Sequence, residues 1–317
     1  MGTNQNNSAC APVALMIFNR PDLSARVAQE ILEAQPRALY VIADGPRPDH
    51  ADDVALCAET RDLVLSLPWE CPVHTLFAEE NMGLRARVSS GLDWVFSHVD
   101  EAIILEDDCL ADQSFFPYAS ELLQRYAADS RVGVISGNNF LRGKRVSKDS
   151  YFFSSDVRIW GWATWARAWK DFSKEGLDYP WTIDEATSVV SAIPSPGRRK
   201  ALLRDAERAQ RINSWALPFV LHSAKRGHLS VVPAVNLVTN VGFGARSTHT
   251  KFESFTAEVG LEHMPFPLSH PSQVTPNEKA GAIEVARARW QWVSYPLSHP
   301  IEFTKRVLRY LRVILGR

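Results

Sequence analysis

Over most of the first 240 residues, short unbroken apolar runs alternate with stretches whose apolar residues recur every three or four positions. Val13–Phe18 (V-A-L-M-I-F) is such a run, the mark of a strand covered on both faces, and Asn19-Arg20-Pro21-Asp22 ends it in a turn that opens a helix. Leu23, Val27 and Ile31 then recur at four-residue steps and define one buried helical face. Leu39–Ala43 is a second strand ending in Asp44-Gly45-Pro46-Arg47, Asp52–Leu67 reads as helix, and Val73–Phe77 as a third strand. After the turn Asn81-Met82-Gly83, the residues Leu84, Val88, Leu92, Val95 and Phe96 form one stripe, with Arg85 and Arg87 near its start. Ala102–Leu105 returns to a buried strand. This alternation predicts βαβ units and an α/β fold whose mostly parallel central sheet is flanked by helices.

The second half is less regular. Ser114–Tyr126 reads as helix and Val132–Ser136 as a strand running into Gly137-Asn138-Asn139. Tyr151–Phe153 and then Arg158–Trp165 (R-I-W-G-W-A-T-W) are strongly aromatic; four of the ten tryptophans lie between Trp160 and Trp169. Tryptophans beside a glycine suit stacking of sugar rings or bases, and they suit core packing equally, so this segment is expected to serve both core and acceptor site. Asp171–Lys200 is charged and carries Pro180, Pro194 and Pro196, which predicts a long excursion over the site rather than scaffold. Ala201–Ala209 and Trp215–Ala224 read as helices and Ser230–Val235 as a strand. The polar loop after it holds Gly242 and Gly244, with the freedom of a hinge, and reads as a lid. Ser254–Gly281 has little periodicity. Ile301–Arg317 is an amphipathic tail whose polar face carries Lys305, Arg306, Arg309 and Arg312; such a helix lies on an anionic membrane surface or packs on the body.

Composition narrows the classes. A formal net charge of -1 gives no basic excess for nucleic acid, and 45% hydrophobic residues in 317 suit a sizeable core. The four cysteines lack metal-type spacing and read as reduced thiols of a cytosolic protein. No apolar run is long enough to span a bilayer, and the first residues do not resemble a signal peptide.

The chemistry gathers at strand ends. Ala102–Leu110 (A-I-I-L-E-D-D-C-L) delivers Glu106, Asp107 and Asp108 to the sheet edge, where open α/β sheets bind ligands. Three adjacent carboxylates repel one another unless solvated, hydrogen-bonded or neutralised, and a hard divalent ion holding a phosphate is their natural partner. Asn19/Arg20 and Asp44/Arg47 occupy two further tips, so acidic and basic groups alternate as a nucleotide requires. The dinucleotide fingerprint and the P-loop are both absent. His249 is open between metal ligand, phosphate donor and surface histidine.

Taken together, F-N-R-P-D at Phe18–Asp22, A-D-G-P-R at Ala43–Arg47, L-E-D-D-C at Leu105–Cys109, W-G-W-A-T-W at Trp160–Trp165 and N-L-V-T-N-V-G-F-G…T-H-T ending at Thr250 resemble nucleotide-sugar glycosyltransferases of the GT-A, Rossmann-like fold. The resemblance is to bacterial sugar transferases related to the eukaryotic α-mannoside β-1,2-N-acetylglucosaminyltransferase. It implies a glycosyltransferase domain over 11–250, with a nucleotide-sugar half at about 11–110 and an acceptor half at about 111–250, and a C-terminal extension over 251–317. It implies that Arg20 and Asp44 contact the uracil and ribose end of a UDP-sugar, that Glu106 and Asp107 hold ribose and donor sugar, and that Asp108 is the one direct protein ligand of Mn²⁺ or Mg²⁺. Arg47, Arg87, Trp160, Gly161 and His249 complete the expected donor site. Relatives carry an Asp after the tryptophan that opens the helix before the last strand; here Trp215 is followed by Ala216, which leaves Asp184 and Asp205 as candidates for the base.

The expectation is therefore an inverting, metal-dependent hexosyl- or N-acetylhexosaminyltransferase. It would act on a glycan or lipid-linked glycan of surface polysaccharide biosynthesis, in the cytoplasm or at the inner face of the membrane. The alternative is a catalytically impaired nucleotide-sugar-binding or assembly subunit, which Ala216 favours. A sugar-phosphate nucleotidyltransferase would need a Gly-rich basic loop where Asn19–Asp22 stands, and a D-x-D phosphatase would not have Leu110 and Ala111 after its acids.

Overall fold

A computed structural model describes residues 10–178, 181–191, 193, 196–209, 211–242, 259–298 and 304. The first half alternates as the sequence predicts: β1 (Val13–Ile17), α1 (Pro21–Ala34), β2 (Leu39–Ala43), α2 (Asp53–Leu65), β3 (Val73–Phe77), α3 (Leu84–His98) and β4 (Glu101–Glu106). Then come β5 (Cys109–Ala111), α4 (Phe115–Arg125), β6 (Val132–Ser136), β7 (Tyr151–Ser154), β8 (Trp162–Trp165) and α5 (Ala166–Glu175). The chain continues through α6 (Ile183–Ser191), α7 (Pro196–Ala209), α8 (Ala216–Arg226), β9 (Leu229–Pro233), β10 (Val238–Asn240) and α9 (Glu278–Ser298).

Eight strands form one sheet in the order β3-β2-β1-β4-β8-β6-β9-β7, with β8 and β7 antiparallel to their neighbours and the rest sharing one direction. This is the α/β, Rossmann-like architecture the sequence implies. Because each β1 residue points opposite to the next, Val13, Leu15 and Ile17 join a core with Val27 and Ile31 of α1 and with α4, while Ala14 and Met16 join a second core under α3, α5 and α8. Both faces are covered, which is why these strands read as unbroken apolar runs. The chain starts in the middle of the sheet, moves out through β2 to β3, and returns on the other side of β1 as β4. A topological switch point therefore lies between the carboxyl ends of β1 and β4.

Three elements differ from the sequence expectations. The segment read as an excursion over Asp171–Lys200 is largely helical, and α6 and α7 enclose a core of their own from Trp181, Ala186, Val190, Leu202 and Ala206 against Leu221 of α8. Pro196 opens α7 at its first position, where the missing N–H costs nothing, so it delimits a helix instead of excluding one. The polar loop after β9 contains a real strand, β10, which pairs antiparallel with β5. The stretch ending at Gly281 runs into α9, whose apolar residues form no clear stripe and which the periodicity did not reveal. Residues 243–250 of the expected lid, His249 among them, lie outside the described residues, and so does the basic tail 301–317 apart from residue 304.

Candidate functional site

Arg20, at the end of β1, and the Glu106-Asp107-Asp108 tip of β4 meet across the switch point. Arg20 donates from Nε to Asp107 Oδ2 at 3.0 Å, from Nη2 to Asp107 Oδ1, and from Nη1 to Asp108 Oδ2 at 3.1 Å. Asp107 and Asp108 are buried. Burial lowers the Arg20 pKa, but Asp107 and Asp108 outweigh it and hold the guanidinium charged above its ordinary range. The acids move the other way. Burial first, then repulsion from the neighbouring carboxylates, pushes Glu106 up, and burial raises Asp107 despite its bonds to Arg20. Three carboxylates faced by one guanidinium leave excess negative charge at a buried strand end.

The second wall of the tip is β10. Asn240 pairs with Cys109 in the β5–β10 ribbon and donates from Nδ2 to Asp108 Oδ1 at 2.9 Å, while Val241 N–H donates to the Asp108 carbonyl at 2.8 Å. Gly242 follows, its N–H bonded to Asn240 Oδ1 at 2.8 Å. Among the described residues no three His, Cys, Asp or Glu side chains are grouped to hold one ion. The excess charge and the single, well-oriented Asp108 carboxylate fit a divalent cation that takes one protein ligand and completes its shell with phosphate and water oxygens. They do not form an all-protein cage.

Asp44 and Arg47 are engaged elsewhere. The buried Asp44 carboxylate accepts from the N–H groups of Gly45 and Met82, both at 2.9 Å, from Gly83 N–H at 3.0 Å and from Asn81 Nδ2 at 3.0 Å. It thereby builds the turn that starts α3. Arg47 forms a two-pronged pair with Asp53 (2.6 and 3.0 Å) over the Phe18 ring, and Asn19 Nδ2 reaches the same carboxylate at 2.7 Å. The Arg47 bonds hold the Asp53 carboxyl well below its usual range. Arg87 is buried under the Asp44 turn, donating to the Leu76 carbonyl at 3.0 Å, and burial lowers its pKa. Of the expected donor-site residues, Arg20, Glu106, Asp107 and Asp108 stand together; Asp44, Arg47 and Arg87 brace the neighbouring turns.

The tryptophans divide. Trp162, Trp165 and Trp169 are core residues, and Trp162 stacks on Trp215 with ring centroids 5.8 Å apart. Trp160 is half-buried, its ring edge-on to Phe140 at 5.6 Å. Gly161 separates the two indoles: at φ +59° it turns the chain into β8, and a Cβ there would stand 2.6 Å from Val238 of β10. Trp160 and Trp162 thus need not share a strand.

Ala216 begins α8 directly after Trp215 and carries no titratable group. Asp184 is exposed on α6. Asp205, on α7, is raised by burial against the pull of Arg208 and Arg204. Neither is among the groups bonded to the β4 tip. Asn240 is the site residue that sequence reasoning missed; Asn-x-Gly at positions 240–242 marked a turn, but only β10 pairing puts Asn240 on Asp108.

No protein family matches the sequence, and no curated protein matches it. Among solved structures, the chain is similar to an active-site mutant of LgtC at 11% identity and a TM-score of 0.32, over 50% of this chain and 59% of that one. The chain therefore spans less than two thirds of the LgtC chain.

Proposed function

We propose that the chain is an inverting glycosyltransferase that moves a hexosyl or N-acetylhexosaminyl group from a UDP-sugar to a glycan or lipid-linked glycan of surface polysaccharide biosynthesis. One observation carries this reading: a buried, charge-excess tip of three carboxylates faces Arg20 across the switch point of a Rossmann-like sheet, with Asn240 orienting Asp108. Within it, 11–110 is the nucleotide-sugar half, 111–250 the acceptor half and 251–317 the extension.

Asp108 would hold Mn²⁺ or Mg²⁺, with Asn240 fixing the carboxylate's orientation. When bound, the ion neutralises the charge that builds on the departing diphosphate. Arg20 aligns Asp107 and Asp108; on donor binding it would exchange one of these partners for a phosphate or ribose oxygen. Glu106 and Asp107 offer acceptors to ribose and sugar hydroxyls. The half-buried Trp160 beside Gly161 supplies an apolar face for a sugar ring. Direct displacement requires that the acceptor hydroxyl lose its proton, and Asp184 and Asp205 on the α6–α7 unit remain the proposed bases. His249, outside the described residues, is the remaining residue proposed for the donor site.

The second reading, a nucleotide-sugar-binding or assembly subunit, is favoured by Ala216. Release of UDP from UDP-glucose, UDP-galactose and UDP-N-acetylglucosamine separates the two. Manganese-dependent release lost in Asp108→Ala supports the enzyme, and binding without release supports the subunit. Among the described residues no helix is long and apolar enough to cross a membrane. The basic residues of 301–317 would hold the protein at the inner face of the cytoplasmic membrane.

A further inference from the structure

A buried ion pair joins α9 to the aromatic side of the site. Asn277, just before α9, donates to the carbonyls of Phe153 (2.8 Å) and Val146 (3.2 Å), and Arg287 on the helix donates to the Phe140 carbonyl at 2.8 Å. Between them Glu284 is bonded to Arg158, whose side chain is only 6% exposed and that of Glu284 16%. Arg158 also donates to the Asn138 carbonyl at 3.4 Å and lies over the Phe140 ring at 5.2 Å, and that ring meets Trp160 edge-on. The Arg158 carbonyl accepts from Ser136 Oγ at the end of β6, and Asn138 Nδ2 donates to the Val238 carbonyl of β10 at 2.9 Å. Arg158 is thus linked to α9 through Glu284, to β6 through its own carbonyl and to β10 by way of Asn138.

Desolvating a guanidinium this completely is costly unless a charge compensates it, and truncating one partner leaves the other buried and uncompensated. Arg158 without Glu284 would move toward water and leave Phe140, and Trp160 would lose the ring that sets its angle. Arg198, bonded to Asp156, lies near enough to Glu284 for their charges to interact, so Glu284 helps to compensate two buried guanidinium groups.

We infer that Glu284 is a positioning residue for the acceptor subsite: through Arg158 it fixes Phe140 and Trp160 as the aromatic wall against which an acceptor sugar ring stacks. This rests on the transferase reading and brings into it α9, an element of the fold far along the chain from the strand-end acids. Glu284 itself contacts no substrate.

The test uses the full chain with saturating UDP and Mn²⁺. Methyl β-glycosides of glucose, galactose, mannose and N-acetylglucosamine are the probes, their binding measured by saturation-transfer NMR. The wild type should bind at least one, Trp160→Ala should abolish that binding, and Glu284→Ala should weaken it about ten-fold. Glu284→Gln, which keeps a hydrogen-bond acceptor for Arg158, should recover binding to within about three-fold. UDP affinity should stay within about two-fold in both Glu284 variants, a split that general destabilisation would not produce. Unchanged glycoside binding in a folded Glu284→Ala overturns the inference. So does UDP binding with no glycoside bound by the wild type, which leaves the donor site standing. Failure of the wild type to bind UDP removes the transferase reading and the inference with it.

Discussion

A Cβ added to Gly242 would stand 2.2 Å from Oδ2 of Asp108, well inside contact distance. The backbone of the chain after β10 therefore lies directly against the carboxylate assigned to the metal, and only glycine permits it. Gly242→Ala should push the Asp108 side chain off Asn240 and Arg20. Metal-dependent UDP affinity should fall at least about ten-fold by calorimetry, while the urea midpoint stays near that of the parent. Full affinity in this variant would remove Asp108 from the nucleotide site.

Asp44 yields a contrasting expectation, because its carboxylate accepts from three backbone N–H groups and Asn81. Asp44→Ala leaves these donors unsatisfied in a buried turn, a loss of about 3 kcal/mol in urea unfolding. If stability is instead unchanged and UDP binding fails, the nucleotide role implied by the sequence resemblance is the correct one.

Ala216 stands at the first turn of α8, where the helix dipole favours an acid and where Trp215, stacked on Trp162, anchors the backbone. Ala216→Asp should raise the rate of donor turnover by about ten-fold or more, measured as UDP release, with little change in thermal midpoint. A rate no higher than the parent's assigns proton removal to a group already present.

One buried histidine should make its own contribution to stability fall on acidification. His228 is held down to about 4, chiefly by burial and then by His222, and burial likewise lowers His222 although Asp171 at 3.0 Å opposes it. A folded pKa below the unfolded value of 6.5 means that the unfolded chain takes up the proton first. The contribution of His228 is thus complete above about pH 6.5 and is lost as the pH falls towards about 4. Glu106 and Asp107, raised by burial, contribute with the opposite sign over the same range, so the test is the difference between parent and His228→Gln: the parent's melting temperature should fall further than the variant's as the pH drops through that window. Parallel curves for the two proteins would contradict the burial argument.

The legible parts of the fold are those where one physical signal dominates. Val13–Ile17 and Leu39–Ala43 are covered on both faces and read as unbroken runs; Val88, Leu92, Val95 and Phe96 face one core and read as a stripe. The acidic tip was legible because Glu106–Asp108 follow a buried strand without interruption. What stayed hidden depends on contacts across long separations. Asn240 reaches Asp108 only because three residues of β10 pair with β5, and Glu284 reaches Arg158 across 126 positions. Neither partner choice is encoded locally. Arg47 and Arg87 illustrate the converse: their positions at strand and helix ends were read correctly, but Asp53 and the Leu76 carbonyl take their charges before any phosphate does.

The central claim is that the β4 tip binds a nucleotide diphosphate through a divalent ion held by Asp108. Calorimetric titration of UDP, once with Mn²⁺ and once with a chelator, tests it most directly. UDP should bind with the metal, bind at least about ten-fold more weakly without it, and not bind at all to Asp108→Ala. Equal UDP affinity in both conditions, or no binding in either, would contradict it.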